Sequence, residues 1–158
     1  MAGAYGPVRG SPERAREDWD RVLWTTLLGW APPALEIAAA TAADFPRIAE
    51  LTVAVYTAED LVSPGYVPEL ADVAGRADRA ELLVARDGDG HVVGSVALAL
   101  DGDFGEVTDG DDEAAFRMLA VDGRTRGQGI GEALVRACLD RARAAGKRRM
   151  VLSTEVRM

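Results

Sequence analysis

The stretch RTRGQGIGEALV, residues 124–135, sets two arginines and three glycines ahead of an amphipathic run. Each glycine costs roughly 0.5–1 kcal/mol against alanine inside a regular element, so three placed so closely need a reason. The first turn of a helix carries unpaired N–H groups and a partial positive charge. With no Cβ atoms in the way, an anion can sit directly on those amides. Arg124 and Arg126 stand beside the glycines, and arginine meets phosphate oxygens bidentately. The chemistry expected is a phosphate or pyrophosphate site spanning Arg126, Gly127, Gln128, Gly129, Ile130 and Gly131.

Two familiar nucleotide motifs fit poorly. No GxxxxGK followed by Ser or Thr exists here, so a P-loop reading is weak. A dinucleotide fingerprint needs GxGxxG after the first strand of its unit. From Gly127 the pattern is GxGxG, with Glu132 or Ala133 where the third glycine should fall, and it comes late in the chain.

The elements around the glycines must present them correctly. Residues 114–121 (AAFRMLAV) read as the strand entering the turn. Ile130, Leu134, Ala137, Cys138 and Ala142 form one apolar helical stripe after it. Glu132 precedes Arg136 by one turn, basic residues gather near the end, and Gly146 falls where the helix should stop. Residues 150–153 (MVLS) then read as a last strand.

Upstream, residues 34–40 read as a first strand, and Thr41 to Asp44 resemble a capping box. Alternatively Asp44 itself caps, with Pro46 in the first turn. Phe45, Ile48, Leu51, Thr52 and Val55 line one face of a helix to about Ala58. A turn at Ser63-Pro64-Gly65 leads to a second short helix over 67–76, ending near Gly75. Residues 81–86 and 91–100 read as two strands joined by Asp87-Gly88-Asp89-Gly90, a strong hairpin signal. An acidic loop follows over 101–113. The order β-α-α-β-β-β-α-β predicts an α/β domain over 34–158: a mixed sheet whose last two strands are parallel with a right-handed crossover. Residues 1–33 read as an extension with an amphipathic helix, or as the result of a misplaced translation start. A helix starting at Ser11-Pro12-Glu13 carries Trp19, Leu23, Leu27 and Trp30 and stops at Pro32-Pro33.

Composition narrows the function. The 158 residues carry a formal charge of −8 and one cysteine. An acidic chain disfavours nonspecific binding to nucleic acid or to an anionic membrane. No intrachain disulfide is possible, and there is neither a bilayer-length apolar run nor a signal-peptide core, so a cytoplasmic protein is expected.

Residues 117–145, RMLAVDGRTRGQGIGEALVRACLDRARAA, closely resemble the acyl-CoA-binding core of the GNAT superfamily of N-acetyltransferases. The element order from Ala34 to Ser153 resembles the first five strands of that fold, so the resemblance covers roughly three-quarters of the chain. It implies that the pyrophosphate of acetyl-CoA lies on the amides already chosen. It also implies that the pantetheine arm pairs with Leu119, Ala120 and Val121, in a gap between that strand and the next. A backbone N–H near Leu119 would polarise the thioester carbonyl. The reaction implied is direct attack of a primary amine, on a small molecule or a peptide, with no metal involved.

The chain also departs from the family. Where some members carry a glutamate base, two residues before Arg117, this chain has Ala115. Glu113 lies on the same strand face by the two-residue period and is the fallback base; a water chain and Glu155 are the alternatives. The usual fold continues with another helix, which commonly carries a tyrosine acid, and two more strands. The sequence ends before them, and Tyr5, Tyr56 and Tyr66 all lie upstream. Gly123 stands where many relatives have proline. An edge left open at 150–153 predicts a homodimer or poor solubility. Two alternatives to the enzyme are an acyl-CoA-binding module impaired in turnover and a chain acting only through protein association.

Overall fold

The structure, a computed structural model, describes residues 34–101 and 110–152. The expected helix over 11–30, most of the acidic loop, Ser153 and Glu155 lie outside the described residues.

Strand β1 (Glu36–Ala39) leads into helix α1 (Phe45–Ala58), then the short helices α2 (Val67–Ala71) and α3 (Val73–Ala77). Strands β2 (Glu81–Arg86), β3 (Val92–Ala99) and β4 (Glu113–Val121) come next, then helix α4 (Ile130–Ala144) and strand β5 (Arg149–Val151). The sheet has five strands in the order β1-β2-β3-β4-β5. The first three pairings are antiparallel, and β4 pairs with β5 in parallel. This is the mixed sheet expected.

Alternation along the strands sends side chains to two separate cores. Leu83, Ala85, Val96, Leu98 and Ala114 pack with Ile130, Leu134, Cys138 and Ala142 of α4. Leu82, Val84, Ala97 and Ala99 pack with Ile48 of α1 and Val73 of α3. With helices on both faces, β3 is buried along its whole length.

Gly94 on β3 lets α4 come close. A Cβ there would lie 2.8 Å from Ile130 Cγ2 and 3.0 Å from Leu134 Cδ1. Gly94→Val is therefore expected to destabilise the fold by roughly 1–3 kcal/mol through overpacking, read as a lower urea midpoint at unchanged slope.

Four expectations are corrected. The helix over 67–76 is two helices, α2 and α3, because Asp72 leaves the helical region at φ −78°, ψ 73° and its carboxylate accepts the Gly75 N–H at 3.0 Å. A short acidic side chain that bonds the backbone locally competes with continuing the helix. His91 lies outside β3, because its N–H is drawn to Asp87 Oδ1 at 2.9 Å within the hairpin turn. Glu113 belongs to β4 rather than to the acidic loop, opposite Arg149 of β5. The last strand spans Arg149–Val151, one residue earlier than expected at its start. At the α1 entry the Thr41 N–H donates to Asp44 Oδ2 at 2.8 Å, and Arg86 donates to the same oxygen at 2.8 Å. Among the described residues no helix is long and apolar enough to cross a membrane.

Candidate functional site

Strand β4 ends in Asp122, whose carboxylate organises the turn after it. Oδ1 accepts the Arg124 N–H at 3.0 Å, which caps the tight helical turn Gly123–Thr125. The Arg124 guanidinium donates through Nε at 3.1 Å and Nη2 at 2.8 Å. Arg47 of α1 donates through Nη2 at 2.8 Å and sends its Nε–H to the Val92 carbonyl at 3.2 Å. Asp122 thus ties the turn to α1 and β3. The Arg124 bonds, before all else, hold its carboxyl well below the usual carboxylate range.

The glycines take over past this clamp. Gly127 and Gly129 adopt φ of +79° and +76°, a left-handed backbone that side chains resist. A Cβ on either would meet nothing within 4 Å, so both face open space. Gly129 is the N-cap of α4, and the first helical bond runs from the Ala133 N–H to the Gly129 carbonyl at 3.0 Å. The N–H groups of Ile130, Gly131 and Glu132 precede it and have no carbonyl one turn earlier within the helix. The resulting cradle has bare donors and the positive end of a helix dipole.

The two arginines are both held by carboxylates. Arg124 is on Asp122, and Arg126 pairs with Glu59 at the end of α1. Between α1 and the turn runs a groove of about 570 Å³ bordered by Arg47, Glu50, Val55, Glu59 and Arg126.

Strand β4 itself is irregular. Ser95 faces Ala120 and Ala97 faces Arg117, so Met118 and Leu119 together oppose one residue of β3. This is a β-bulge, and Met118 sits in it at φ +55°. The bulge shifts the alternation, which puts Arg117 and Ala120 on the α1 face while Leu119 and Val121 pack toward α4. On its other edge β4 pairs with β5 over Glu113, Ala114 and Ala115 only. Among the described residues no strand pairs with that edge from Phe116 to Val121. A row of backbone donors and acceptors runs along it into the glycine turn.

The structure brings Leu119, Ala120, Val121 and residues 126–131 into one continuous stretch of bulge, open edge and cradle. Glu113 is elsewhere. It lies six residues before Leu119, roughly 20 Å along an extended strand, and its buried carboxylate is 3.3 Å from Arg149 Nε. The period-two argument aligned it with Ala115 and Arg117, but not with the bulge. Sequence reasoning also missed the Asp122 clamp, although Asp-Gly before a turn is a readable capping signal. Nothing in the residue types announces the bulge at Met118. Cys138 is fully buried against the sheet, and burial pushes its thiol up to about 11. A disulfide reagent should therefore label it only as fast as the protein opens, and rapid labelling of the native protein would contradict this packing.

The fold is that of a mixed α/β protein in which an open strand edge runs into a glycine turn at a helix N-terminus. The family model for the acetyltransferase (GNAT) family matches residues 45–157, and the chain belongs to that family, whose members use acetyl-CoA. A GNAT acetyltransferase from Brucella melitensis, solved in complex with acetyl-CoA, is similar at 26% identity and a TM-score of 0.63, over 78% of this chain and 77% of that one. A GCN5-related N-acetyltransferase from Kribbella flavida is similar at 28% identity and a TM-score of 0.58, over 74% and 70%. A GNAT-family acetyltransferase from Staphylococcus aureus shares the fold at 15% identity and a TM-score of 0.63, over 79% and 77%. No curated protein matches the sequence.

Proposed function

We propose that this chain transfers an acetyl group from acetyl-CoA to a primary amine. One observation carries the reading: left-handed, side-chain-free Gly127 and Gly129 open at the helix N-terminus, in line with the unpaired edge of β4. The residues fit the group. The amides of Arg126, Gly127, Gln128, Gly129, Ile130 and Gly131 would hold the pyrophosphate, and the open edge at Leu119, Ala120 and Val121 would pair with the arm. In the overall reaction the neutral amine nitrogen bonds to the thioester carbonyl carbon, the carbon–sulfur bond breaks, and the proton shed by nitrogen balances the one the thiolate takes up.

The bulge gives this chain its own part in that chemistry. The extra residue interrupts the β3 ladder beside Leu119, and a backbone N–H near Leu119 freed from that ladder would face the open edge. There the N–H would donate to the developing oxyanion. Proton removal from the amine goes to water, because Glu113 is paired with Arg149 at the far end of the strand.

That placement of Glu113 favours a second reading, an acyl-CoA-binding protein with poor turnover. Calorimetry with coenzyme A and a thiol-release assay over a panel of amines distinguish the two. Micromolar binding with amine-dependent thiol release supports the transferase. Binding with release no faster than hydrolysis supports the binding module, and no binding sinks both.

A further inference from the structure

The strand that carries the open edge is joined to its last neighbour over a very short length. β4 and β5 pair through Glu113, Ala114 and Ala115 against Arg149, Met150 and Val151, and the open edge of β4 begins at the next residue, Phe116. Burial does little to hold β5 in place. None of its three residues is fully buried, and Met150 joins the core under α4 only in part. Parallel pairing is also slightly less stable per residue than antiparallel pairing.

Polar ties gather at the closed end of this pair. The Asp112 carbonyl accepts the Arg148 N–H at 2.8 Å and the Arg149 N–H at 3.2 Å. The Asp112 carboxylate accepts the Arg148 Nε–H at 3.1 Å and lies 3.5 Å from Arg149 Nη2. The Arg149 guanidinium also reaches the next residue, with Nε 3.3 Å from Glu113 Oε1. The residues leading into β5 are thus bound, through main chain and side chain, to those leading into β4. Exposed ion pairs contribute little one by one. Glu113 differs, because it is buried where the strands meet, and a sheltered pair is screened much less than an exposed one.

The angle between these strands has leverage on the proposed chemistry. Leu119 lies about 13 Å beyond Ala115 along an extended strand. Over that length a change of about 5° alters the spacing by about 1 Å, and a misplacement of about 1 Å can cost on the order of a hundredfold in rate.

We infer that Arg149, with Asp112 and Glu113, clamps the closed end of the β4–β5 pair and so sets the width of the gap in which the arm of acetyl-CoA lies beside Leu119. The three are positioning residues for the transfer. The inference rests on the acetyl-transfer reading above, and it gives Glu113 a positioning role in place of that of a base.

The test uses the full chain and two ligands, acetyl-CoA and 3′-phospho-ADP, which carries the diphosphate of coenzyme A without its arm. The Arg149 side chain is 66% exposed, so Arg149→Gln is expected to fold while losing its ties to both carboxylates. Acetyl-CoA should bind it about tenfold more weakly by calorimetry, and kcat for amine-dependent thiol release should fall about tenfold. Its affinity for 3′-phospho-ADP should stay unchanged. Arg149→Lys, which keeps the charge, should recover part of both losses. Glu113→Gln should act in the same direction, and the double variant should lose less than the product of the two single losses, because both break one tie. Should Glu113→Gln not fold, the two Arg149 variants decide the matter. Equal weakening of both ligands overturns the inference, since that is the mark of a merely structural role. So does an Arg149→Gln protein with unaltered acetyl-CoA affinity and turnover, or full multiplication of the losses in the double variant. An unaltered chain that binds neither ligand, or releases no thiol to an amine, removes the acetyl-transfer reading itself and the inference with it.

Discussion

Gly129→Glu is expected to weaken coenzyme A binding by at least a hundredfold, to below calorimetric detection. Three effects act together. Gly129 sits at φ +76°, where an L side chain costs on the order of 1–2 kcal/mol. The space beyond its Cα is open, so a glutamate would not clash with the protein but would stand where the proposed function places the diphosphate. Its charge would repel phosphate at the positive end of α4, where the dipole now attracts it. The first effect alone predicts a less stable protein; the second and third predict a specific loss of binding. Gly90 separates them. It lies in the β2–β3 hairpin at φ +84° with nothing near its Cβ. Gly90→Glu should share the backbone cost and leave binding intact. Equal loss of affinity in both variants, or normal affinity in Gly129→Glu, would remove the cradle as the binding site.

The parts of this fold that were readable in the sequence are those where a local pattern and the tertiary demand coincide. The stripe Ile130, Leu134, Cys138 and Ala142 is also the buried face of α4, because one helix covers one face of the sheet. The Asp-Gly pairs mark the β2–β3 hairpin since only a few residues tolerate that turn. The glycine turn was legible as an open helix start because its geometry is local: a strand end, missing Cβ atoms and a helix beginning at Ile130.

The features that escaped the sequence depend on partners distant in the chain. Arg124 and Arg126 looked like phosphate ligands, yet the residues that hold them are Asp122 and, far upstream, Glu59. No pattern near Arg126 points to Glu59. The bulge at Met118 depends on the register against β3, which strand alternation assumes to be regular. For the same reason Glu113 seemed a candidate base. Periodicity reports the face on which a residue lies, but not how far along the strand it is from the reacting atoms.

Asp122→Ala is expected to have the largest effect on the fold of any single change near the site. The carboxylate is buried and accepts from Arg47 and three times from Arg124, so its removal takes the Nη2 partner from the Arg47 guanidinium, which is 30% exposed and keeps Glu50 and the Val92 carbonyl. Bonds to a charged group contribute about 1.5–3 kcal/mol, and much of the Arg124 share is lost to water because that side chain is 83% exposed. A loss of about 2–3 kcal/mol is expected from urea unfolding. Coenzyme A affinity should fall as well, because the turn that presents the glycines loses its cap. The acid limb of stability gives a second signature. The folded protein holds the Asp122 carboxyl below its unfolded value, so its contribution is present in full above the unfolded carboxylate range and is lost as pH falls through the lower folded value. In the unaltered protein the loss should begin near pH 4 and continue below pH 3, around and under the unfolded aspartate value of about 3.9. In Asp122→Ala that part of the acid slope should be missing. An unchanged slope from pH 4 downward, or a variant as stable as the parent at neutral pH, would mean that the tie between α1, β3 and the glycine turn is not maintained by this carboxylate.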